Sequence, residues 1–298
     1  MVTGVVGAAV GPRGPAHAGE RITASSLLDA IPRIGSGAPA TNVTVPPGLA
    51  ERIEEMASSL EVAGGEGGDT RNNAISPRLA GSWRLMYSNG PEITSLASGL
   101  PLGFELGPTY QPLDVEGGRF ENRGSISNRY GLARLATGVV GDVSVSPPGS
   151  LNAVGVPNDR NNRVAVSFRA IVFSLDEVFG RRVSVRKVLI PKLDPDAGAT
   201  PANDVTYLDE KVKIVRGGDG ALFVFERARR DEDSPMLTDV ERERLFLEGG
   251  RKGRSKSRRS RGDGKDDDDD AAADVIVGGR RESIKGQPEL EFLFQSDR

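Results

Sequence analysis

Side chains able to perform catalysis or to bind a metal are scarce in this 298-residue sequence. It contains no cysteine, which excludes disulfides, thiol nucleophiles and thiolate metal sites. Its one histidine, His17, lies in a segment rich in glycine, proline and alanine. Histidine-based triads and metal sites built from several histidines are therefore excluded. Any general base would have to be a carboxylate, a lysine or a tyrosine.

The strongest candidates for such chemistry are Asp209 and Tyr207. Lys211 and Lys213 continue the same two-residue spacing. In a strand these four side chains would share one face. Three interpretations remain open: an outward polar face with weak ion pairs, an Asp209 buried against an arginine so that it locks the last hairpin, or an acid catalyst. Arg216 is the nearest arginine for the second interpretation. Because no second carboxylate pattern supports catalysis, we expect no enzymatic activity, no cofactor and no metal.

The elements that must position these residues are mainly β-strands. Between residues 79 and 227 apolar side chains recur with period two, and no long helical stretches alternate with them, which argues against a parallel sheet. Residues 217–220, Gly-Gly-Asp-Gly, predict a hairpin. We therefore expect about eight antiparallel strands in a closed barrel or a sandwich. The predicted runs are Ser82–Tyr87, Pro108–Val115, Phe120–Ile126, Val139–Val145, Arg163–Leu175, Arg181–Ile190, Val205–Val215 and Ala221–Arg227.

The flanking regions differ in composition from the β-rich region. Residues 1–20 are interpreted as either a transit-peptide remnant or an unstructured leader. Residues 21–78 predict a helical segment and linker, with an apolar stripe typical of a helix packed on a core. Residues 79–230 form the predicted barrel. Residues 231–298 predict a charged tail with one helix at 237–247, begun by Thr238 and Glu241 as a capping box, and then a basic block and five aspartates typical of a solvated linker.

Three segments share motifs with one family. The first is L-A-G-S-W-R-L-M-Y-S, residues 79–88; the second, residues 106–122, carries a glutamine, an acidic residue and then an asparagine; the third is T-Y-L-D-E-K-V-K-I-V-R-G followed by F-V, residues 206–224. Together they resemble the plastid lipid-associated proteins, also called fibrillins, over about residues 50–228. The residues that carry the resemblance are Gly81, Trp83, Tyr87, Gln111, Asn122, Tyr207, Asp209, Arg216 and Gly217.

The resemblance implies a lipocalin-like barrel in a plastid, at thylakoids or at the lipid droplets called plastoglobules. It implies that the protein binds or shelters hydrophobic molecules such as isoprenoid quinones, carotenoids or fatty acids, in a family that is not generally enzymatic. It also implies that Trp83 closes one end of the barrel under a basic residue. The alternative function is a non-catalytic scaffold that coats plastid lipid droplets or recruits a lipid or quinone biosynthetic enzyme.

A lipid carrier needs an apolar lumen, because each buried CH₂ of the guest gains about 0.8 kcal/mol. The alternative is a lumen filled by the protein's own side chains. We expect either enclosure of the ligand or docking of the barrel's open end on a lipid surface. The net charge of −3 predicts no attraction to nucleic acid. The predicted lining residues are Val166, Phe168, Val172, Val183, Val185, Leu208, Val212 and Ile214.

Overall fold

The structure, a computed structural model, describes residues 22–64, 71–191, 201–229 and 236–259. The predicted leader and the run of aspartates lie outside these ranges. The described residues are mainly β-structure, as expected, with few helices. The strands are β1 Ala40–Thr41, β2 Gly81–Ser88, β3 Phe104–Asp114, β4 Arg119–Asn128, β5 Ala133–Val145, β6 Arg163–Val178, β7 Arg181–Leu189, β8 Ala202–Leu208, β9 Val212–Gly217 and β10 Leu222–Arg227.

Eight of these strands close into an antiparallel barrel in the order β2, β3, β4, β5, β6, β8, β9, β10 and back to β2. The closed barrel is thus confirmed and the sandwich is excluded. The eight strands are not the predicted eight, however. The run Val205–Val215 is two strands, because the Asp209 carboxylate accepts hydrogen bonds from the Lys211 and Val212 N–H groups and turns the chain. Strand β7 pairs only with β6 and lies outside the barrel.

Four α-helices surround the barrel: α1 Ala24–Ala30, α2 Pro47–Ala63, α3 Pro91–Ala97 and α4 Asp239–Arg259. Helix α4 begins with the predicted capping box, since Thr238 and Glu241 exchange hydrogen bonds between side chains and backbone N–H groups. It continues to Arg259, past the predicted end at residue 247 and into the basic block. Within the described ranges, none of the helices has the length and apolarity needed to cross a bilayer.

The apolar residues form an interior core and an outer core. The interior core fills the barrel around Trp83, Phe120 and Phe225. The outer core lies between the helices α1 and α2 and the outer face of β8, β9, β10 and β2. The predicted stripe on α2 faces this second core, with Ile53, Met56 and Leu60 buried. The outer face of β9 therefore packs against α1 and α2, and its inner face packs against the interior core. An apolar side chain on this strand can lie in either core, so its type does not show whether it lines the lumen.

Strands β3 to β7 continue past the barrel as a single curved sheet. Strand β6 pairs with β8 over only three residues, Arg163–Ala165. Further along β6, the same edge of the strand pairs with β7 instead. On the opposite side, β2 pairs with β3 only from Gly81 to Arg84. We call the projecting part, residues 104–109, 123–138 and 172–189, the sheet extension. It rises from one end of the barrel, beside helix α3.

Candidate functional site

The barrel encloses a cavity of about 120 Å³ that opens toward the sheet extension. Most of its wall is aliphatic or aromatic, and Phe120 and Phe168 pack with ring centres 6.4 Å apart. Polar residues line it at three places: Gln111 with Asn122 deep in the lumen, Asn203 on β8, and Glu92 from α3 at the mouth. The other lining residues are Val139, Val166, Ile171, Pro201, Ala202, Val215, Phe223 and Phe225.

Trp83 closes the end of the barrel opposite the mouth. Its indole is fully buried, and its Nε1–H donates to the Leu79 carbonyl at 2.9 Å. The guanidinium carbon of Arg227 lies 4.1 Å from the centre of the Trp83 ring. Arg227 also donates to the carbonyls of Arg78, Ala80 and Glu210, so one side chain ties the strand ends over the tryptophan. This arrangement keeps water out of the closed end.

Lys213 points into the barrel, although the alternation predicted an outward side chain. Its Nζ lies 5.0 Å from the ring centre of Trp83 and 4.3 Å from that of Phe225. Burial lowers the pKa of Lys213 well below its ordinary value, and the positive charge of Arg227 adds to the effect. The Nζ donates to Gln111 Oε1 at 2.6 Å, which fixes the orientation of that amide.

Gln111 in turn donates through Nε2 to Asn122 Oδ1 at 3.2 Å. Asn122 lines the cavity and can offer its amide N–H to an oxygen atom of a bound molecule. The chain from Lys213 through Gln111 to Asn122 thus forms a polar station at the inner end of an apolar cavity. Sequence reasoning named Gln111 and Asn122 only as family markers. Residues two apart on a strand face the same side, and Asn122 lies two residues after the lumen residue Phe120. This spacing was the available signal for an inward position.

The eight predicted lining residues separate into three groups. Val166 and Phe168 line the cavity, and Leu208 is buried in the interior core. Val212 and Ile214 are buried in the outer core under α1 and α2, because the turn at Asp209 shifts the alternation of β9 by one residue. The expectation that all eight share the lumen is therefore wrong. The remaining three lie elsewhere: Val172 packs against the α4 side of the sheet, and Val183 and the 62% exposed Val185 are on β7.

Asp209 and Arg216, which one interpretation paired, lie in different environments. Asp209 accepts a hydrogen bond from the Tyr207 hydroxyl at 2.7 Å in addition to its two turn N–H groups, so its oxygens serve the β8–β9 turn. Arg216 instead contacts Glu54 at 2.6 Å and Glu61 at 2.8 Å, which ties α2 to the barrel. Burial by itself lowers the pKa of Arg216, but the hydrogen bonds with these two carboxylates outweigh it and raise that pKa. The proposed Asp209–Arg216 pairing is therefore wrong.

At two of the family-marker glycines a Cβ would meet a neighbouring side chain, and at Gly81 the backbone conformation also favours glycine. Gly81 has a φ of 120°, and a Cβ there would lie 2.7 Å from an Arg227 guanidinium nitrogen. At Gly217 a Cβ would lie 2.7 Å from Asp219 Oδ1, in the predicted β9–β10 hairpin. Tyr87 is buried in the outer core, where burial and the negative charge of Glu54 raise its pKa. These three residues support the barrel and do not line its cavity.

The mouth of the cavity carries one carboxylate and one apolar side chain from α3. Ile93 packs on the interior core, and Glu92 lines the cavity. Burial raises the pKa of Glu92 above its ordinary value, and the negative charge of Asp219 adds to the effect. An anionic ligand would therefore meet a titratable group at the mouth, whereas a neutral ligand would not be repelled.

Apolar side chains recur on the lumen-facing side of the sheet extension, beyond a row in which Gly124, Thr137 and Phe173 are paired. Directly paired residues of an antiparallel sheet share a face, and so do residues i and i+2 of one strand. Ile126, Leu135 and Leu175 are paired across β4, β5 and β6, and lie four residues beyond the lining residues Asn122, Val139 and Ile171. Leu106 and Val185 complete the row at its two ends. We call these five residues the apolar row.

Comparison with known proteins places this geometry in a family. The PAP_fibrillin family model matches residues 22–226, which run from α1 to the last barrel strand. The chain belongs to the PAP_fibrillin family. It is 30% identical over 190 residues to plastid-lipid-associated protein 6, chloroplastic, from Arabidopsis thaliana, a match that covers 59% of this chain and 61% of that protein. No solved structure matches the chain.

The PAP_fibrillin match covers every residue of the lumen, the polar station and the apolar row. It ends before α4, which packs on the outer face of β5, β6 and β7 through Leu245. The features that could bind a ligand therefore lie within the matched region, and α4 lies outside it.

Proposed function

We propose that this protein binds a hydrophobic molecule that carries a polar oxygen at one end, with that end at Gln111 and Asn122. The apolar part of the ligand would leave the lumen and lie along the apolar row. The observation that carries the proposal is the mainly apolar cavity, with a polar station at its inner end and the apolar row further out on the same face of the sheet. Isoprenoid quinones, carotenoids with oxygen at the ring and fatty acids all have this form.

The size of the cavity supports a partly enclosed ligand. Its volume of about 120 Å³ is below the roughly 300–1,000 Å³ of a typical small-molecule pocket. The lumen can therefore hold the polar end and the first part of a chain, but not a whole carotenoid. A quinone or hydroxyl oxygen could accept a hydrogen bond from the amide N–H of the half-buried Asn122. This favours oxygen-bearing lipids over plain hydrocarbons.

We also propose that the protein acts in a plastid, peripherally at the surface of thylakoids or plastoglobules, and is not an enzyme. The family and the name of the Arabidopsis relative support the location. The engagement of Asp209 and Tyr207 in the β8–β9 turn supports a non-catalytic role. The scaffold alternative would depend on surfaces other than the lumen, and a truncation described below separates the two.

Quenching of Trp83 fluorescence tests ligand binding, because Trp83 is the only tryptophan of the chain and packs beside Lys213, which bonds Gln111. We expect an isoprenoid benzoquinone to quench it saturably. Val139→Phe, which fills the lumen, should weaken binding at least about tenfold by displacing the ligand. Asn122→Leu should weaken the quinone roughly five- to tenfold, the usual loss for one hydrogen bond, and should leave binding of a hydrocarbon with the same tail unchanged.

Leu151 is exposed in the loop between β5 and β6 and does not line the cavity, so Leu151→Ser is the matched control and should bind like the unaltered protein. Absence of quenching by quinones, oxygenated carotenoids and fatty acids in a folded barrel would exclude the proposed function. Equal losses for quinone and hydrocarbon in Asn122→Leu would exclude the polar station.

A further inference from the structure

Four large apolar side chains project into solvent from the far edge of the sheet extension. Leu102 is 83% exposed, Tyr130 66%, Leu132 43% and Phe179 74%. They lie in three turns, one before β3, one between β4 and β5 and one between β6 and β7. We call these four residues the apolar tip. Among the residues that the structure describes, none covers these four side chains, so their exposure needs another explanation than packing.

Hydrogen bonds join the three turns into one edge. The side-chain amide of Asn128 donates through Nδ2 to the Leu102 carbonyl at 2.8 Å, and the Arg129 backbone N–H donates to the Gly103 carbonyl at 2.9 Å. The Phe179 N–H donates to the Leu132 carbonyl at 2.9 Å. The apolar tip is therefore a connected feature rather than three unrelated turns.

Two residues of the apolar tip have a backbone conformation that their side chains disfavour. The φ of Leu102 is 58° and that of Phe179 is 47°, in the left-handed region where glycine and asparagine are the usual residues. Phe179 and Gly180 together form a turn with both φ values positive, as a tight hairpin requires. Asparagine would make the same turn with less strain. Leucine and phenylalanine at these positions cost stability, and this cost points to a role for their exposed side chains.

The charged residues nearest the apolar tip are arginines. Arg129 lies over the Tyr130 ring at 5.0 Å, and the exposed Arg181 and Arg182 follow the Phe179–Gly180 turn. Glu177 is paired with Arg182 and contacts Arg134 at 3.5 Å, and the carboxylates Glu105 and Asp176 lie further along their strands. The outermost layer is thus apolar, aromatic and positively charged. Tyrosine with apolar and basic neighbours is the composition that favours the boundary between lipid headgroups and hydrocarbon.

We propose that the apolar tip inserts into a lipid surface that carries anionic headgroups. With these turns inserted, the strands of the sheet extension would stand on the lipid surface. The apolar row would then lie between the lipid and the lumen. Six residues separate Val139 in the cavity wall from Ala133 at the edge, about 20 Å at ~3.3 Å per residue. The transfer of a ligand along this path depends on the proposed function, whereas insertion does not. Side chains that project separately from three turns suit a deformable lipid surface better than the flat face of a protein partner.

Flotation of the full chain with vesicles tests the proposal. We expect binding to phosphatidylcholine vesicles that contain phosphatidylglycerol, and weaker binding to phosphatidylcholine alone or in high salt. The variant Leu102→Asn/Phe179→Asn should bind at least about tenfold more weakly, because two apolar side chains no longer enter the hydrocarbon. Its thermal midpoint should equal or exceed that of the unaltered protein, because asparagine tolerates the left-handed backbone. Loss of binding would then not reflect unfolding.

The matched control is Leu151→Ser/Val154→Ser, which removes two exposed apolar side chains from the loop between β5 and β6, outside the sheet extension. This variant should float like the unaltered protein. Equal binding by the apolar-tip variant, or an equal loss in the control, would overturn the proposal. So would an apolar-tip variant that floats normally but no longer holds a co-purifying protein.

The quinone titration of Trp83 separates this proposal from the proposed function. Both variants should retain quenching by a water-dispersed quinone, because the lumen is unchanged. If the quinone does not quench Trp83 but flotation still depends on the apolar tip, the ligand-binding function would be excluded. Insertion of the apolar tip into a lipid surface would remain supported.

Discussion

Lys213 is the residue whose environment departs most from what its type predicts. A lysine side chain is seldom fully buried without a charged partner, yet Lys213 is enclosed by Trp83, Phe225 and Gln111. The alternation within β9 predicted an outward position, and no local signal in the sequence contradicts it. The inward position follows from the turn at Asp209, which sets the phase of β9. What the lysine contributes is the orientation of the Gln111 amide, at a cost in stability around neutral pH.

The variant Lys213→Met tests this cost. The pKa of Lys213 in the folded protein is well below its value in the unfolded chain, so between these two values the unfolded chain binds a proton that the folded protein does not. The free energy of unfolding should therefore rise with pH in that window, by about 1.4 kcal/mol per pH unit at most. Lys213→Met should remove this part of the slope and be at least as stable near pH 7. Urea denaturation from pH 7 to pH 10 measures both effects.

Lys211→Met is the control on the same strand pair, since Lys211 is exposed and should leave the slope unchanged. Parallel pH profiles for the unaltered protein and Lys213→Met would contradict the assignment of a depressed pKa to Lys213.

At the scale of elements, the shortest pairing of the barrel is the β6–β8 seam, and Arg163 reinforces it. Arg163 is fully buried and holds Asp204 through two hydrogen bonds of 2.6 and 2.8 Å. It also donates to the carbonyls of Ser150 and Val156, which fixes the long loop before β6. Three ladder pairs alone would leave this seam weak, so one buried ion pair stabilises the closure beside the cavity.

Arg163→Met should lower the free energy of unfolding by about 3–5 kcal/mol, because it leaves the Asp204 carboxylate without its partner. The double variant Arg163→Met/Asp204→Asn should recover part of this loss, since the remaining group is uncharged. Arg119→Met, which breaks the half-exposed contact with Asp114, should cost less than about 1 kcal/mol. Equal losses for the two single variants, measured by urea denaturation, would show that the seam does not depend on the buried pair.

The sequence predicted the existence of most strands but not which face of each strand is interior. Period-two alternation and the Gly-Gly-Asp-Gly turn located the strands from Ser82 to Arg227, because both signals are local. The turn at Asp209 has no glycine or proline, so the split of Val205–Val215 was missed. The lining positions of Val212 and Ile214 were wrong because α2 makes the outer face of β9 as apolar as the inner one. Such burial by a distant helix leaves no signal within the strand.

At the scale of the whole molecule, α4 extends the fold beyond the family region. Leu245 packs on Val140, Ala170 and Val188, and the Leu237 N–H donates to the buried Glu121 carboxylate at 2.9 Å. Arg242 contacts Asp142 at 3.1 Å. The first turns of this helix therefore shield one outer face of β5 to β7 from water. The barrel and the helix should unfold together.

Two truncations test this arrangement and the scaffold alternative. A chain that ends at Arg259 keeps α4 and should retain the thermal midpoint and the quinone affinity of the full chain. A chain that ends at Arg229 exposes three buried aliphatic residues and should melt at a lower temperature, by roughly 4 °C or more. Unchanged melting in the shorter chain would show that α4 does not stabilise the barrel. A protein partner lost on removal of residues 260–298, with quinone binding intact, would favour the scaffold.

The pairing of the first barrel strand with the last one has a consequence for how the chain acquires its shape. Arg227 reaches back to Ala80 across a separation of 147 residues, and that contact completes the ring over Trp83. Contacts so distant in sequence form late, because the intervening chain must first lose much of its freedom. During synthesis the ring stays open until β10 has emerged. The nascent chain should therefore depend on chaperones longer than a helical protein of equal length.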